Sequence, residues 1–408
     1  MKSLFFNMNL LGVFILGILS WQCEDNRIEA DLSHVPLNIY TVLIDSISFS
    51  SYRVAPNLGS NDRLYLGTKN SLDVPLSFIG IKDHYYWSNS LDSTVTVDSL
   101  HFILYSSDSL LTQSSTPNLF FNPDSQFNES KSTYLDFVGY SIADWESIGQ
   151  PNVIVNTDTS GIFTYTELVW DIMSIDSMLT DTVDSNLIRN FAIQMTNSDT
   201  NFIELFSREA TSGDGPMDPK VKMYYRQNLV VDDSTVHDTG NVTIYSFGDI
   251  SIIDPGSIDT ESINLGLSNG LGLRSLVSIS FDSASIPKGS LIRKALLSLP
   301  IDTSSSSDGY NIIVDPIDEL VDTADVVFET DPYIGMGYPY QFRTSSNIEN
   351  GMFIVSLKKF LQNITLGNET NLGFKVVSNE KNDPFESINF DIENESAKPI
   401  LEIIYVAN

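Results

Sequence analysis

Two clusters of aromatic and polar residues are the places where this sequence could do chemistry. Lys82-Asp83-His84-Tyr85-Tyr86-Trp87-Ser88-Asn89 sets three aromatic rings beside a histidine, a carboxylate and an amide. Tyr333, Tyr338 and Tyr340, with Arg343 close by and Gly335 and Gly337 between them, form the second. Aromatic faces cover the apolar faces of sugar rings, while neighbouring polar groups bind hydroxyls. His84, Tyr85, Tyr86, Trp87, Tyr333, Tyr338, Tyr340 and Arg343 are therefore the candidate ligand-binding residues. Packing of the same rings in a core or across strands is the competing account.

Other motifs carry less. Gly266-Leu267-Ser268-Asn269-Gly270 spells the nucleophile elbow of α/β-hydrolases. That elbow needs a helix after its serine, and here the strand-like run Leu276 to Phe281 follows. The catalytic histidine of a hydrolase comes after the serine, whereas His34, His84, His101 and His237 all precede Ser268. No histidine pair has the spacing of a zinc site, and His101 is expected within a strand. Acidic residues crowd loops such as Asp302 to Asp308, but no calcium-loop spacing occurs, so calcium is admitted by charge and unsupported by pattern. Paired carboxylates could run a glycosidase, yet spacing alone selects no pair. No catalytic residue and no cofactor is assigned.

The elements that must position these groups are strands. Ile39 to Phe49, Val95 to Tyr105, Val153 to Val155, Phe191 to Met195, Val221 to Tyr225 and Val242 to Phe247 are rich in β-branched and aromatic residues. So are Leu276 to Phe281, Ala295 to Leu299, Gly373 to Val377 and Ile400 to Val406. In Arg274 to Phe281, Val277, Ile279 and Phe281 share one face while Ser278 and Ser280 share the other. This period of two marks one buried and one wet face. Asp, Ser, Asn and Gly punctuate the runs, as turn residues do. The pattern predicts an all-β chain of antiparallel sandwiches. Only Thr166 to Met173 and Ser356 to Leu361 read as short helices.

Asn7 to Trp21 contains an apolar run too short to span a bilayer and of the size of a signal-peptide core. The sole cysteine, Cys23, follows it, and the chain then turns polar. This segment resembles a bacterial lipoprotein signal, which implies lipidation at Cys23, attachment to the outer membrane or cell surface, and a membrane contact limited to the lipid anchor. One cysteine excludes an intrachain disulfide framework. With 53 acidic against 22 basic residues the net charge is −31, which repels polyanions and argues against nucleic acid. A composition of 42% apolar and 11% aromatic residues supplies a packed core, unlike a disordered acidic tail.

The two halves share an order of elements. Gly161-Ile162-Phe163, the helix candidate at 166, the strand Phe191 to Met195 and the run Lys220 to Tyr225 parallel Gly351-Met352-Phe353, the helix candidate at 356, Gly373 to Val377 and Pro399 to Tyr405. This predicts two tandem jelly-roll-like sandwiches at 37–229 and 240–408, joined by a linker at 230–239, after a signal peptide at 1–22 and a tether at 23–36. The second half, with Gly266, Phe281-Asp282, Ser285-Ile286-Pro287-Lys288-Gly289, Ala295-Leu296, Gly373-Phe374 and Pro399-Ile400-Leu401-Glu402-Ile403, resembles the disaggregatase-related, or DNRLRE-type, secreted modules akin to carbohydrate-binding modules. The first half then reads as a divergent copy. The resemblance implies a non-catalytic surface protein that binds polysaccharide or mediates adhesion, with glycan as partner and neutral glycan preferred on charge grounds. A purely structural surface-assembly protein and a polysaccharide lyase or glycosidase are the alternatives.

Overall fold

The computed structural model describes residues 38–82, 94–109, 111–112, 115–122, 127–157, 164–175, 189–195, 202–210, 215–231, 234–256, 265–280, 286–321, 327–347, 349–392 and 398–407. The chain is almost entirely β, as the strand patterns predict, with antiparallel pairing throughout its named strands. Strand Leu273–Ile279 shows why: its buried and less buried residues alternate, so Val277 and Ile279 enter a core while Ser278 faces out. The described residues also hold one α-helix, Lys358–Leu366.

Two sandwiches result, and they are nested rather than tandem. Strands Asn38–Ile44 and Ile47–Arg53 begin the described chain, yet they pair with its far end. Asn38 to Ile44 run antiparallel to Leu401 to Ala407, and Ile47 to Arg53 run antiparallel to Leu273 to Ile279. A host sandwich is thus made of residues 38–53 and 266–407. Its five-stranded sheet contains Ile47–Arg53, Leu273–Ile279, Phe374–Ser378, Asn311–Pro316 and Phe342–Ser345. Its four-stranded sheet contains Asn38–Ile44, Ile400–Ala407, Leu291–Pro300 and Met352–Ser356. Leu297, Phe353, Phe374 and Leu401 lie between the sheets at 1% exposure or less.

The strands from Arg63 to Asp254 form an inserted sandwich. One eleven-stranded sheet folds over itself there. The 21-residue strand Ser234–Asp254 belongs to both layers, pairing first with Lys220–Val231 and then with Leu72–Ile81. Phe102, Phe121, Trp170 and Phe191 fill the space between the layers. The expected boundary near 37 and the linker at 230–239 therefore do not coincide with the pairing. Residues 38–53 complete the second half's sheets, and residues 230–231 and 234–239 belong to two paired strands in which Val231 faces Ser234 and Gln227 faces Asp238. Sequence order cannot reveal this, because strand pairing joins residues more than 300 positions apart.

Of the two helix candidates, one is a strand. Thr164–Asp171 pairs on both sides and alternates in burial, as expected for a segment rich in Thr, Tyr, Val and Trp. Lys358–Leu366 is helical: Phe360, Leu361 and Thr365 are buried on one side, and Gly367 ends it in the left-handed region at φ 78 with its N–H on the last carbonyls. The sandwiches meet over Leu58, Tyr65, Val74, Ile253 and Phe385. Lys69 bridges the junction, 2.9 Å from Asp383 and 3.3 Å from Glu204. Among the described residues no helix is long and apolar enough to cross a membrane.

Candidate functional site

The inserted sandwich carries a concave surface of about 670 Å³ on the outer face of five adjacent strands. Alternation builds it. In strand Val95–Ser106, Leu100, Phe102 and Leu104 point into the core, so His101, Ile103 and Tyr105 are left for the opposite face. Lys220–Val231 likewise buries Val221 and Met223 and presents Lys220, Lys222 and Tyr224. Thr164–Asp171 buries Leu168 and Trp170 and presents Glu167, Val169 and Asp171.

Cross-strand register turns these residues into rows. Thr243, Lys222, His101 and Asp171 stand side by side across four strands. In the next row Tyr245, Lys220, Ile103, Val169 and Asn152 stand across five. The Lys220 ammonium sits 4.5 Å from the Tyr105 ring centroid and 5.7 Å from that of Tyr245. It also donates to the Pro216 carbonyl. Lys222 lies 5.0 Å from the Tyr224 ring, whose edge meets His101 at 6.0 Å. The Tyr105 hydroxyl donates to Glu167 Oε1 at 3.4 Å, and Asn156 Nδ2 donates to Glu167 Oε2 at 3.0 Å.

Burial dominates the electrostatics of this face. Lys220 is only 7% exposed, and loss of hydration lowers its pKa to about 8 despite the attraction of Glu167 and Asp218. Burial, then the Glu167 carboxylate, pushes the Tyr105 hydroxyl well above the usual phenol range. The face offers rings that can cover apolar sugar surfaces, beside ammonium, imidazole, amide and carboxylate groups that can bind hydroxyls.

A second concavity of about 690 Å³ lies between the sandwiches. Its floor is the outer face of the host's five-stranded sheet, where Arg343, Ile313 and Val377 occupy one cross-strand row and Arg274 lines the same cleft. Lys375 lies beside them and donates to Asp331 Oδ2 at 3.1 Å, which Arg274 also engages. Close backbone approach shapes its walls. A side chain on Gly272, at φ +63, would begin 1.8 Å from the Val54 carbonyl, and one on Gly59 would begin 1.9 Å from that of Glu129.

One wall ends in an acidic group. Glu129, Glu209 and Asp249 each bring a carboxylate oxygen to within 4.8 Å of the others. Glu129 Oε1 accepts the Asp249 N–H at 2.9 Å, and Asp249 Oδ2 accepts the Arg208 N–H at 2.9 Å. Burial, with Glu129 adding repulsion, raises Glu209 to about 7. Burial and then Glu209 hold Asp249 well above the carboxylate range. These three residues could contribute to a cation site, although the six to eight oxygen ligands of calcium exceed what they supply.

The sequence-predicted residues are dispersed. Cys23, His84, Tyr85, Tyr86 and Trp87 lie outside the described residues. Tyr333 is 5% exposed and packs its ring 4.9 Å from Tyr52, so it serves a core rather than a ligand surface. Tyr338 is 95% exposed, with Lys359 5.7 Å from its ring. Tyr340 packs against Phe360 at 5.7 Å. Neither Tyr338 nor Tyr340 lines either of these two concavities, whereas Arg343 reaches the cleft. Ser268 is buried and bridges to Leu273 in the loop before a strand, so the elbow-like motif is a turn. Sequence reasoning missed Lys220, Lys222, Tyr224, Tyr105 and Glu167. The available signal was polar residues at every second position of strands whose other positions are apolar. No family model, curated protein or solved structure matches the chain.

Proposed function

We propose that this protein is a lipid-anchored cell-surface protein that binds polysaccharide, without catalysis, through the outer face of its inserted sandwich. The observation that carries the reading is the row structure of that face. Tyr224 and Tyr245 stand with His101, Lys222 and Glu167 on adjacent strands, over the buried Tyr105 and Lys220. A flat ligand laid on this face would meet both aromatic rings and hydrogen-bonding groups. Lys222 and Lys220 balance Glu167 and Asp171, so the surface is close to neutral in a chain of net charge −31. This supports a neutral glycan. The anchor rests on the run that ends at Cys23.

Titration of neutral oligosaccharides into the full chain tests the binding reading. Tyr224→Ala and Lys222→Ala should each weaken binding by about tenfold, the scale of one charge-assisted or stacking contact. Unchanged affinity in both variants refutes it. Cys23→Ser should release the protein from the membrane fraction, and continued membrane partitioning refutes the anchor.

The proximity of His101, Tyr224 and Lys222 favours a second reading, a lyase acting on uronate polymers. There a base would take the proton next to the carboxylate while the bond to the leaving sugar oxygen breaks. Ultraviolet absorbance from an unsaturated uronate product, abolished by Tyr224→Phe, would establish it.

A further inference from the structure

We propose that the cleft between the sandwiches is a separate binding site for the carboxylate of an acidic saccharide, with Arg343 and Arg274 as its principal cationic contacts. The site is distinct from the tyrosine-bearing face and does not depend on it. Three observations on the cleft floor carry the assignment.

The first is charge. Arg343, Arg274 and Lys375 arise from three strands of one sheet and line the same floor. Asp331 is the carboxylate that Arg274 and Lys375 share. Arg343 has no carboxylate within 4.0 Å among the described residues, and its side-chain partner is the neutral Gln341 at 3.4 Å. The three strands thus bring three cations to the floor against Asp331, and with Lys381, Glu129, Glu209 and Glu380 the whole lining carries four groups of each sign, in a chain where acids outnumber bases by 53 to 22.

The second is pre-organisation. Asp331 Oδ1 accepts from the Tyr52 hydroxyl at 3.2 Å and from the Tyr333 N–H at 3.0 Å. Lys375 also donates to the Tyr333 carbonyl at 2.8 Å. The carboxylate that orients Arg274 and Lys375 is therefore itself fixed. Ordering entropy that a ligand would otherwise have to overcome has been removed during folding.

The third is the remaining lining. Among the described residues no aromatic side chain lines the cleft, which instead presents amides and hydroxyls such as Asn57, Asn61, Asn269 and Ser378. That composition suits a polyhydroxylated ligand and not a nucleobase or an acyl chain. Glu129 and Glu209 stand on the wall contributed by the inserted sandwich, so the acid group of the ligand is directed toward the host sheet.

The test is calorimetric titration of the full chain with a galacturonate trimer and with the uncharged galactose trimer, in buffer containing a chelator. The proposal expects binding of the acidic trimer that weakens with added salt. It expects Arg343→Ala to weaken that binding by about tenfold, the worth of one charge-assisted contact. Arg343 is exposed and makes no ion pair, so its loss leaves the fold intact, and an unchanged melting temperature verifies this. Tyr224→Ala should leave acidic-trimer binding unchanged. Loss of acidic binding in Tyr224→Ala but not in Arg343→Ala would place the acid on the tyrosine face and overturn the cleft site. Absence of acidic-trimer binding, or binding indifferent to Arg343→Ala, would also overturn it. Neutral-trimer binding reports separately on the face.

Discussion

The two concave surfaces have nearly the same size, about 670 Å³ on the inserted sandwich and about 690 Å³ between the sandwiches, yet they are built differently. The face is a product of local order. Five neighbouring strands in register place side chains from alternate positions in rows, and its tyrosines, lysines and histidine follow from a period of two. The cleft is a product of assembly. It draws on Val54 and Pro56 just after strand Ile47–Arg53, a loop at Glu129, the turn before Leu273 and the strand Phe374–Ser378. The comparison teaches that a sheet face tolerates change elsewhere, while the cleft depends on how the two sandwiches seat.

The largest effect should come from removing residues 1–53. Strands Asn38–Ile44 and Ile47–Arg53 close one edge of each host sheet. Without them the pairing groups of Leu273–Ile279 and Ile400–Ala407 lose partners, and buried backbone groups left unpaired are costly. The shortened protein should lose the cleft and the cooperative melting of the host sandwich. Trp145 and Trp170 both sit in cores of the inserted sandwich, so their fluorescence should persist. Full cooperative melting of residues 240–408 alone would break the nested description.

Trp170→Ala should act on the other partner in the comparison. Trp170 is 1% exposed, stacks edge-on with Phe102 at 5.9 Å and donates from Nε1 to the Gly149 carbonyl at 2.9 Å. The cavity should lower stability by about 3–5 kcal/mol in denaturant titration and disturb the face directly above it. Ligand binding in the cleft should survive below the new midpoint.

Gly272→Ala should strain the cleft alone. The added carbon meets the Val54 carbonyl at 1.8 Å, and φ +63 disfavours any side chain. A loss of about 1–3 kcal/mol is expected, with the face unaffected. An unchanged melting temperature would show that the turn and the Val54 backbone can part without penalty.

The smallest effects lie in pH dependence, and the two surfaces should respond with opposite sign. Glu209, on the cleft wall, keeps its proton to about 7 when folded and releases it near 4.5 when unfolded. Its contribution is fully present below 4.5 and is lost as pH rises through 7. Lys220, on the face, releases its proton near 8 when folded and near 10.5 when unfolded. Its contribution is present above 10.5 and is lost as pH falls through 8. Glu209→Gln should reduce the slope between pH 4.5 and 7, where Asp249 adds a contribution of the same sign, and Lys220→Met should reduce it between 8 and 10.5. Melting temperatures across pH measure both windows, and a slope unchanged in either variant would relocate the titrating group.

Much of the fold was legible before the structure. The runs at Val95, Val221 and Leu276 are strands in which apolar residues alternate with polar ones, and a two-residue period needs no tertiary information. The segment at Thr166 misled because its apolar residues fit both a short helix and a strand, and pairing with Val95–Ser106 on one side and Asn152–Thr157 on the other decided the matter. The sites were less legible. Tyr333 and Arg343 stand ten residues apart in similar surroundings, yet one is buried against Tyr52 and the other lines a cleft.

By itself the sequence determined composition, charge, strand character and which face of each strand is apolar, because these depend on residues within a few positions of one another. Tertiary structure alone decided that residues 38–53 belong with residues near 275 and 404, that Lys220 faces Tyr105 and Tyr245, and that Arg343 shares a floor with Arg274. Those relations are set by strand order and sheet register. Backbone hydrogen bonding stabilises any antiparallel partner, and the choice among partners rests on the packing of the whole core.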